Sequence, residues 1–158
     1  MSDLQLLLEW LHVLAACCYV GGSFANAIAK TLADRAPSAE ASAALLGAVV
    51  WSNRLLLVPP SFVLPATGLA MAWRMGLPLG SGWLAEGIAL FALLSLILFW
   101  GVRLEHRLER LARDAARRHA PLPPAYHALA PLYAGLGLTA TAALLAVVFL
   151  MVAKRPLV

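Results

Sequence analysis

Charged residues are almost absent from four long apolar stretches of this chain and are concentrated between them. Apolar residues make up 62% of its 158 residues and charged residues only 13%, and the mean hydropathy is +0.82. A water-soluble domain typically has about 25% charged residues. The segregation therefore predicts an all-α fold: a polytopic membrane protein in which four transmembrane helices form one bundle.

The four apolar stretches predict one transmembrane domain over residues 1–158. Each stretch is near or above the roughly 20 residues that a helix needs to cross a bilayer. The predicted spans are residues 4–31, 55–73, 83–102 and 128–153. Ser38 is expected to cap a short helix before the second span, and helical spacing of leucines predicts that the third helix continues into the cytoplasm to about Arg118.

That cytoplasmic extension of the third helix has two interpretations. Its leucines and alanines recur at helical spacing, and its oppositely charged residues include the pair Glu109 and Arg113, four apart. One interpretation is an amphipathic helix exposed to solvent. The other is an arm that binds anionic lipid or a partner protein through its arginines.

Positive residues predict the orientation in the bilayer. Nine Lys and Arg residues fall on the side that holds the loops after the first and third spans, and three fall on the opposite side. The positive-inside rule then places both termini outside and these two loops in the cytoplasm. Because the basic residues flank the spans, the net charge of +4 does not predict nucleic-acid binding, and the lipid bilayer is the expected partner.

Polar side chains line a single face of the first span. Steps of four and three residues connect Gln5, Glu9, His12, Ala16, Tyr19, Ser23, Asn26 and Lys30. Residues at this spacing share one helix face, and seven of these eight side chains carry groups that are able to form hydrogen bonds. Lipid offers them no partner, so the face is predicted to point into the bundle or into a wet cavity.

His12 is the only histidine that these assignments place within the hydrocarbon, about 12 Å from the start of the first span. Three roles fit it: an axial ligand to haem iron, a proton-relay or metal group with Glu9, or a hydrogen bond between helices. His127 lies near the opposite face of the bilayer, so the two histidines are not expected to share one iron. Met71 and Met75 lie at a more suitable depth, and two methionines with a histidine suit Cu(I); packing is the alternative role for both methionines.

Several strings along the chain resemble one family. They are Trp10-Leu11-His12-Val13-Leu14 with Gly21-Gly22, then Pro59-Pro60 with Pro65-Ala66-Thr67-Gly68-Leu69, and finally Phe149-Leu150-Met151-Val152-Ala153-Lys154. They resemble the bacterial integral membrane proteins grouped as domain of unknown function 2269. That family is in turn similar to the copper-resistance D-type membrane proteins and to the haem-binding, four-helix membrane protoporphyrinogen oxidases. In those oxidases a first-helix histidine is important, and His12 matches it by position. They also use a lysine on a later helix, which the third span here lacks.

Two functional hypotheses follow, and whether the protein is an enzyme stays open. The first is a redox protein that binds haem b through His12, with Glu9 or Tyr19 tuning the ligand and Arg74 meeting a haem propionate. The second is a non-enzymatic module that handles copper through His12, Met71 and Met75, or that assists assembly of a membrane complex without a cofactor.

The resemblance implies the bacterial inner membrane, and a homodimer or a larger membrane complex is a possible assembly. No nucleophile elbow, phosphate loop, HExxH or paired CxxC is present in the sequence to support hydrolysis or phosphoryl transfer.

Overall fold

A computed structural model describes residues 3–80 and 82–156, and these residues form helices and short connections without a strand. The helices are α1 (Asp3–Asp34), α2 (Ala39–Ser52), a π-helical turn (Asn53–Leu57), α3 (Val58–Arg74), α4 (Gly82–Arg117) and α5 (Pro124–Ala153). Four segments are long and apolar enough to span a membrane: Asp3–Asp34, Ala39–Arg74, Gly82–Arg117 and Pro124–Ala153. The predicted all-α, four-helix membrane bundle is confirmed.

The second span is one continuous helical rod, in which the π-helical turn joins α2 to α3. Ser38 caps α2 as predicted, since its Oγ accepts a hydrogen bond of 3.2 Å from the Ala41 amide. Pro59 and Pro60 have no N–H, and each proline ring would clash with the carbonyl four residues earlier in a regular α-helix. The wider π turn relieves this crowding, and the Val58 amide donates to the Asn53 carbonyl. The prolines therefore widen the helix without breaking it.

The four spans are joined unevenly, and α1 meets α5 at few positions. Helix α1 packs against α2 and α3, and α4 packs against α2 and α5, whereas α1 and α5 touch at only a few positions. In the middle of the bundle, buried Tyr19, Leu57, Leu94 and Leu144 belong to one apolar cluster. The weak pairing of α1 with α5 leaves an opening between them.

Large apolar side chains cover the outside of the bundle. Phe62 is 71% exposed, Leu138 is 74% exposed and Val152 is 79% exposed. A water-soluble monomer rarely exposes such extensive apolar surface, whereas acyl chains cover it favourably in a membrane. The outward position of these side chains agrees with the transmembrane assignment.

The extension of α4 differs from the predicted solvent-exposed helix. Helix α4 continues to Arg117, close to the expected end, but its apolar face is buried against neighbouring helices. Leu108 and Ala112 share a core cluster with Leu46 of α2 and Tyr126 of α5. One end of the bundle, formed by residues 30–46 and 103–130, is therefore a packed core with an arginine-rich surface, and we call it the arginine-rich end.

Candidate functional site

Polar side chains from α1, the π turn, α4 and α5 meet where the arginine-rich end joins the middle of the bundle. Helix α1 contributes Asn26, Lys30 and Asp34, spaced four residues apart and therefore on one face. Asn26 and Lys30 are buried, with exposures of 8% and 4%. Since uncompensated burial of such groups is costly, their partners define the site.

A chain of hydrogen bonds crosses the bundle through Asn53. Its Oδ1 accepts a bond of 2.9 Å from Asn26 Nδ2, and its Nδ2 donates to Glu105 Oε2. The same carboxylate oxygen accepts a bond of 3.0 Å from the Tyr133 hydroxyl. Asn53 opens the π turn, so this irregular backbone carries the amide that links α1 to α4.

A second group of contacts surrounds Lys30. Its Nζ lies 2.5 Å from Asp34 Oδ2, and the Tyr126 hydroxyl donates to Asp34 Oδ1 at 2.8 Å. The ammonium also lies 5.8 Å from the centroid of the Tyr126 ring and 5.6 Å from that of Tyr133, within cation–π range. An ion pair and two aromatic rings therefore stabilise the buried lysine.

Glu105 is the most deeply buried charged residue of the site, at 1% exposure. Its Oε2 has two donors, but its Oε1 is buried without a hydrogen-bond partner among the described residues. Glu109, one turn further along α4, forms an ion pair with Arg113. Glu105 Oε1 is therefore a buried carboxylate oxygen that lacks a hydrogen bond from the described residues.

A cleft of about 420 Å³ opens between α1, α4 and α5 and reaches this network. Asn26, Lys30, Asp34, Asn53 and Tyr133 line its polar end. The remainder has largely apolar walls, which include Tyr19, Leu57, Leu94, Leu98, Ala140 and Leu144. From Tyr19 to Asp34 the α1 wall rises about 22 Å at 1.5 Å per residue. The cleft is therefore polar at the arginine-rich end and apolar towards the middle of the bundle.

His12 lies near the opposite end of α1, against α3. Its Nδ1 is 2.8 Å from Thr67 Oγ1, and Thr67 donates its single hydroxyl proton to the Val63 carbonyl at 2.7 Å. While the Thr67 hydroxyl donates to Val63, Thr67 Oγ1 is the acceptor for His12, and in that tautomer Nδ1 carries the hydrogen and Nε2 has the free lone pair. A Cβ at Gly68 would lie 3.3 Å from His12 Cε1, so the glycine allows the ring to approach α3 closely.

The family comparison covers nearly the whole chain: residues 6–155 match the family described as predicted integral membrane protein (DUF2269). The chain belongs to the DUF2269 family. No curated protein and no solved structure matches it. The resemblance of DUF2269 to copper-resistance D-type proteins and to protoporphyrinogen oxidases therefore stays a prediction.

The polar face predicted for α1 of this DUF2269 protein is turned inward, and all eight of its residues are buried or partly buried. The residues proposed for a cofactor are nevertheless dispersed. Glu9 accepts a bond of 2.8 Å from Gln5, whereas Tyr19 packs against Phe91 of α4. Arg74 is exposed as the last residue of α3, Met75 follows it and is exposed, and Met71 is partly buried.

A metal cluster of the common type is absent from the part of the DUF2269 chain that the structure describes. Within residues 3–80 and 82–156, no three His, Cys, Asp or Glu side chains stand close enough to hold a metal ion. His12 does not line the 420 Å³ cleft. The histidine and the polar network are therefore two separate places on the same face of α1.

Sequence reasoning missed several members of the network in this DUF2269 protein, namely Asp34, Glu105, Tyr126 and Tyr133. Glu105 belongs to the face of α4 that also carries Leu108 and Ala112 at helical spacing, and this pattern would have placed it inward. Tyr126 and Tyr133 are seven residues apart, so they share a face of α5. Their meeting with Lys30 depends on how the helices pack, which the sequence pattern alone does not give.

Proposed function

We propose that this membrane protein binds an amphiphilic small molecule from the bilayer in the cleft between α1, α4 and α5. The polar head would lie at Asn26, Lys30 and Tyr133, and the apolar tail would lie along the walls near Leu94 and Leu144. The observation that carries this proposal is one continuous cleft of about 420 Å³ that joins apolar walls to a buried polar network. Its volume is in the range of small-molecule sites.

The composition of the network supports a binding role over packing alone. Apolar side chains of similar volume often stabilise a fold as well as a buried ion pair does, without its desolvation cost. Ionisable side chains inside membrane helices commonly mark paths or sites for ligands and ions. Here Lys30 and Asp34 line the cleft, and Glu105 bonds to Asn53 and Tyr133, which also line it.

A matched pair of glycines on α5 provides the test. A Cβ at Gly137 or at Gly135 meets nothing within 4 Å, but only Gly137 lines the cleft. We expect wild-type protein to retain one membrane-derived molecule in native mass spectrometry, Gly137→Phe to lose it, and Gly135→Phe to retain it. Wild-type protein without a bound molecule, or equal occupancy in the two variants, would contradict the proposal.

A second candidate function, ligation of haem b or copper by His12, is favoured by the state of its imidazole. Metal-ligating histidines usually donate the hydrogen of the other ring nitrogen to a fixed acceptor, and Thr67 Oγ1, 2.8 Å from His12 Nδ1, would be that acceptor in the tautomer protonated at Nδ1. Nε2 is then the nitrogen suited to the metal. Met71, one turn beyond Thr67 on α3, would supply a soft ligand to Cu(I). Haem would supply electron transfer when bound.

His127 provides the control for this second candidate, because it is exposed near the start of α5 at the other end of the bundle. Purified protein incubated with haem should show a Soret band that His12→Ala abolishes and His127→Ala preserves. With Cu(I), His12→Ala and Met71→Leu should each lower the bound copper. Absence of haem bands and of copper binding in the wild type would eliminate this candidate.

A further inference from the structure

We infer that the head of the molecule in the cleft is uncharged and carries hydrogen-bond-accepting oxygens, as the carbonyls of a quinone or ketone do. Lys30 would be the residue that recognises them. This inference rests on the proposed function, since it assigns a ligand class to the same cleft. Its basis is the set of hydrogen-bond donors that remain unused in the cleft and the balance of charges around them.

The acceptor oxygens of Asp34 and of Asn53 at the polar end already have protein donors, and Glu105 Oε1, which has none among the described residues, does not line the cleft. Asp34 accepts from Lys30 through Oδ2 and from Tyr126 through Oδ1. Asn53 Oδ1 accepts from Asn26, and Glu105 Oε2 accepts from Asn53 and Tyr133. A head that could only donate hydrogen bonds would have to share an oxygen that already accepts one, and it would leave the remaining N–H donors of Lys30 unused, so an acceptor head fits better.

Lys30 keeps donor capacity that the network does not use. A lysine ammonium has three N–H donors, and among the described residues Lys30 Nζ donates a hydrogen bond to Asp34 alone. The Tyr126 and Tyr133 rings near the ammonium provide cation–π attraction without accepting a conventional hydrogen bond. Since Lys30 lines the cleft, an acceptor oxygen on the ligand completes its coordination.

Formal charges favour a neutral head over an anionic one. Asp34 balances Lys30, and Arg113 balances Glu109. Glu105 lies behind Asn53 and Tyr133 without a counter-ion in the described residues. An anion at Lys30 would add a second unbalanced charge in a poorly solvated place. A cation would compete with Lys30 for Asp34, whereas a carbonyl does neither.

Four probes with the same ten-carbon tail separate these possibilities. They are a decyl-substituted benzoquinone, decyl phosphate, decyltrimethylammonium and decylbenzene, which has no polar head. An equimolar mixture is added to wild-type protein in phosphatidylcholine nanodiscs, and native mass spectrometry records the occupancy of each. The quinone should occupy the cleft at least about 10-fold more than decylbenzene, as expected for a hydrogen bond from a charged donor.

Variants of Lys30 test whether this preference comes from its ammonium. Lys30→Met should remove the advantage of the quinone over decylbenzene, whereas Lys154→Met, at an exposed position beyond α5, should leave it unchanged. Because Lys30→Met leaves Asp34 unpaired, Lys30→Met/Asp34→Asn serves as a charge-balanced second variant. Retained decylbenzene binding in either variant shows that the cleft is intact.

The outcomes distinguish failure of the inference from failure of the proposed function. If no probe binds and Gly137→Phe behaves as wild type does, the cleft is not a binding site and both fall. If decylbenzene binds as well as the quinone, or the phosphate or ammonium probe is preferred, only the carbonyl assignment is overturned. Exclusive retention of phosphatidylcholine would also overturn it.

Discussion

Asn53 connects three helical segments through its side-chain amide. It accepts from Asn26 and donates to Glu105, and it is itself only 5% exposed. An apolar replacement would leave an amide and a carboxylate without these partners in a place that water reaches poorly. The network therefore depends more on this asparagine than on any single ion pair at its edge.

Replacing Asn53 with leucine should destabilise the protein by about 2–4 kcal/mol, because two buried polar groups each lose a partner. The measurement is the midpoint of unfolding in a detergent–denaturant titration. Ser95→Leu is the control, since Ser95 is exposed on α4 and bonds only to its own helix, to the Phe91 carbonyl. A midpoint for Asn53→Leu equal to that of Ser95→Leu would contradict the structural role of the amide.

Gly22 and Gly21 are neighbours on α1 but differ in the space around them. A Cβ at Gly22 would lie 2.6 Å from Leu57 Cδ1 and 2.8 Å from Leu56 Cβ, whereas one at Gly21 meets nothing within 4 Å. Leu57 Cδ1 is able to rotate away, but Leu56 Cβ moves only with the backbone. Gly22→Leu should cost about 1–3 kcal/mol by overpacking, and Gly21→Leu should be nearly neutral in the same titration. Equal free energies of unfolding for Gly22→Leu and Gly21→Leu would contradict this expectation, because α1 would then move away from the π turn at little cost.

The inward face of α1 was predictable because lipid cannot satisfy Asn26 or Lys30. Their partners were not predictable in the same way. Glu105 and Tyr133 lie far along the chain, and their contact with Asn53 and Lys30 depends on the relative rotation of α4 and α5. A hydrophobic pattern gives the buried face of each helix, but it does not identify which buried residues meet.

The π-helical turn is the element that aims Asn53 into the network. The π turn contains one more residue than a turn of regular α-helix. That extra residue rotates the side chains before the turn by about 100° relative to those after it. Pro59 and Pro60 account for the wider turn, since neither donates a hydrogen bond. The sequence predicted a distortion at these prolines, but not that it would take the form of a π turn at residues 53–57.

Pro59→Ala/Pro60→Ala should allow a regular α-helix and rotate Asn53 away from Asn26. The coupling energy between Asn26→Ala and Asn53→Ala, obtained from a double-mutant cycle, should fall from about 1 kcal/mol to near zero. Pro65→Ala is the control, because Pro65 lies within α3 beyond the turn. Unchanged coupling in the double proline variant would show that the prolines do not hold the turn.

Helix boundaries illustrate what apolar runs leave undetermined. The second span was expected from residue 55 with a separate short helix before it, yet a single helical rod runs from Ala39 to Arg74. Trp51 and Arg54 are typical of a membrane interface, and both are indeed exposed, but Asn53 between them turns inward. The fourth helix begins at Pro124, four residues before the expected start, because proline is well tolerated in the first turn of a helix.

The arrangement of all four spans places the start of α1, the end of α3, the start of α4 and the end of α5 at one end, and the α1–α2 and α4–α5 connections at the other. The excess of arginines at the second end predicts that it faces the cytoplasm. Single cysteines at Gly80, Arg118 and Arg155, in a Cys17→Ala/Cys18→Ala background, test this orientation. A membrane-impermeant maleimide should label positions 80 and 155 in intact cells, and position 118 only after lysis. The reverse pattern would invert the orientation.

The open side of the bundle is where a membrane molecule would enter, because α1 and α5 make few contacts there. Photo-crosslinking with two decyl-quinone probes, one bearing a diazirine on the ring and one at the tail end, reports how the molecule lies. The ring probe should label the segments around Lys30 and Tyr133, and the tail probe those around Leu94 and Leu144. Labelling by both probes on outward-facing positions away from the cleft, such as Phe62 and Val152, or a reversed order along the cleft, would contradict binding with the head at Lys30.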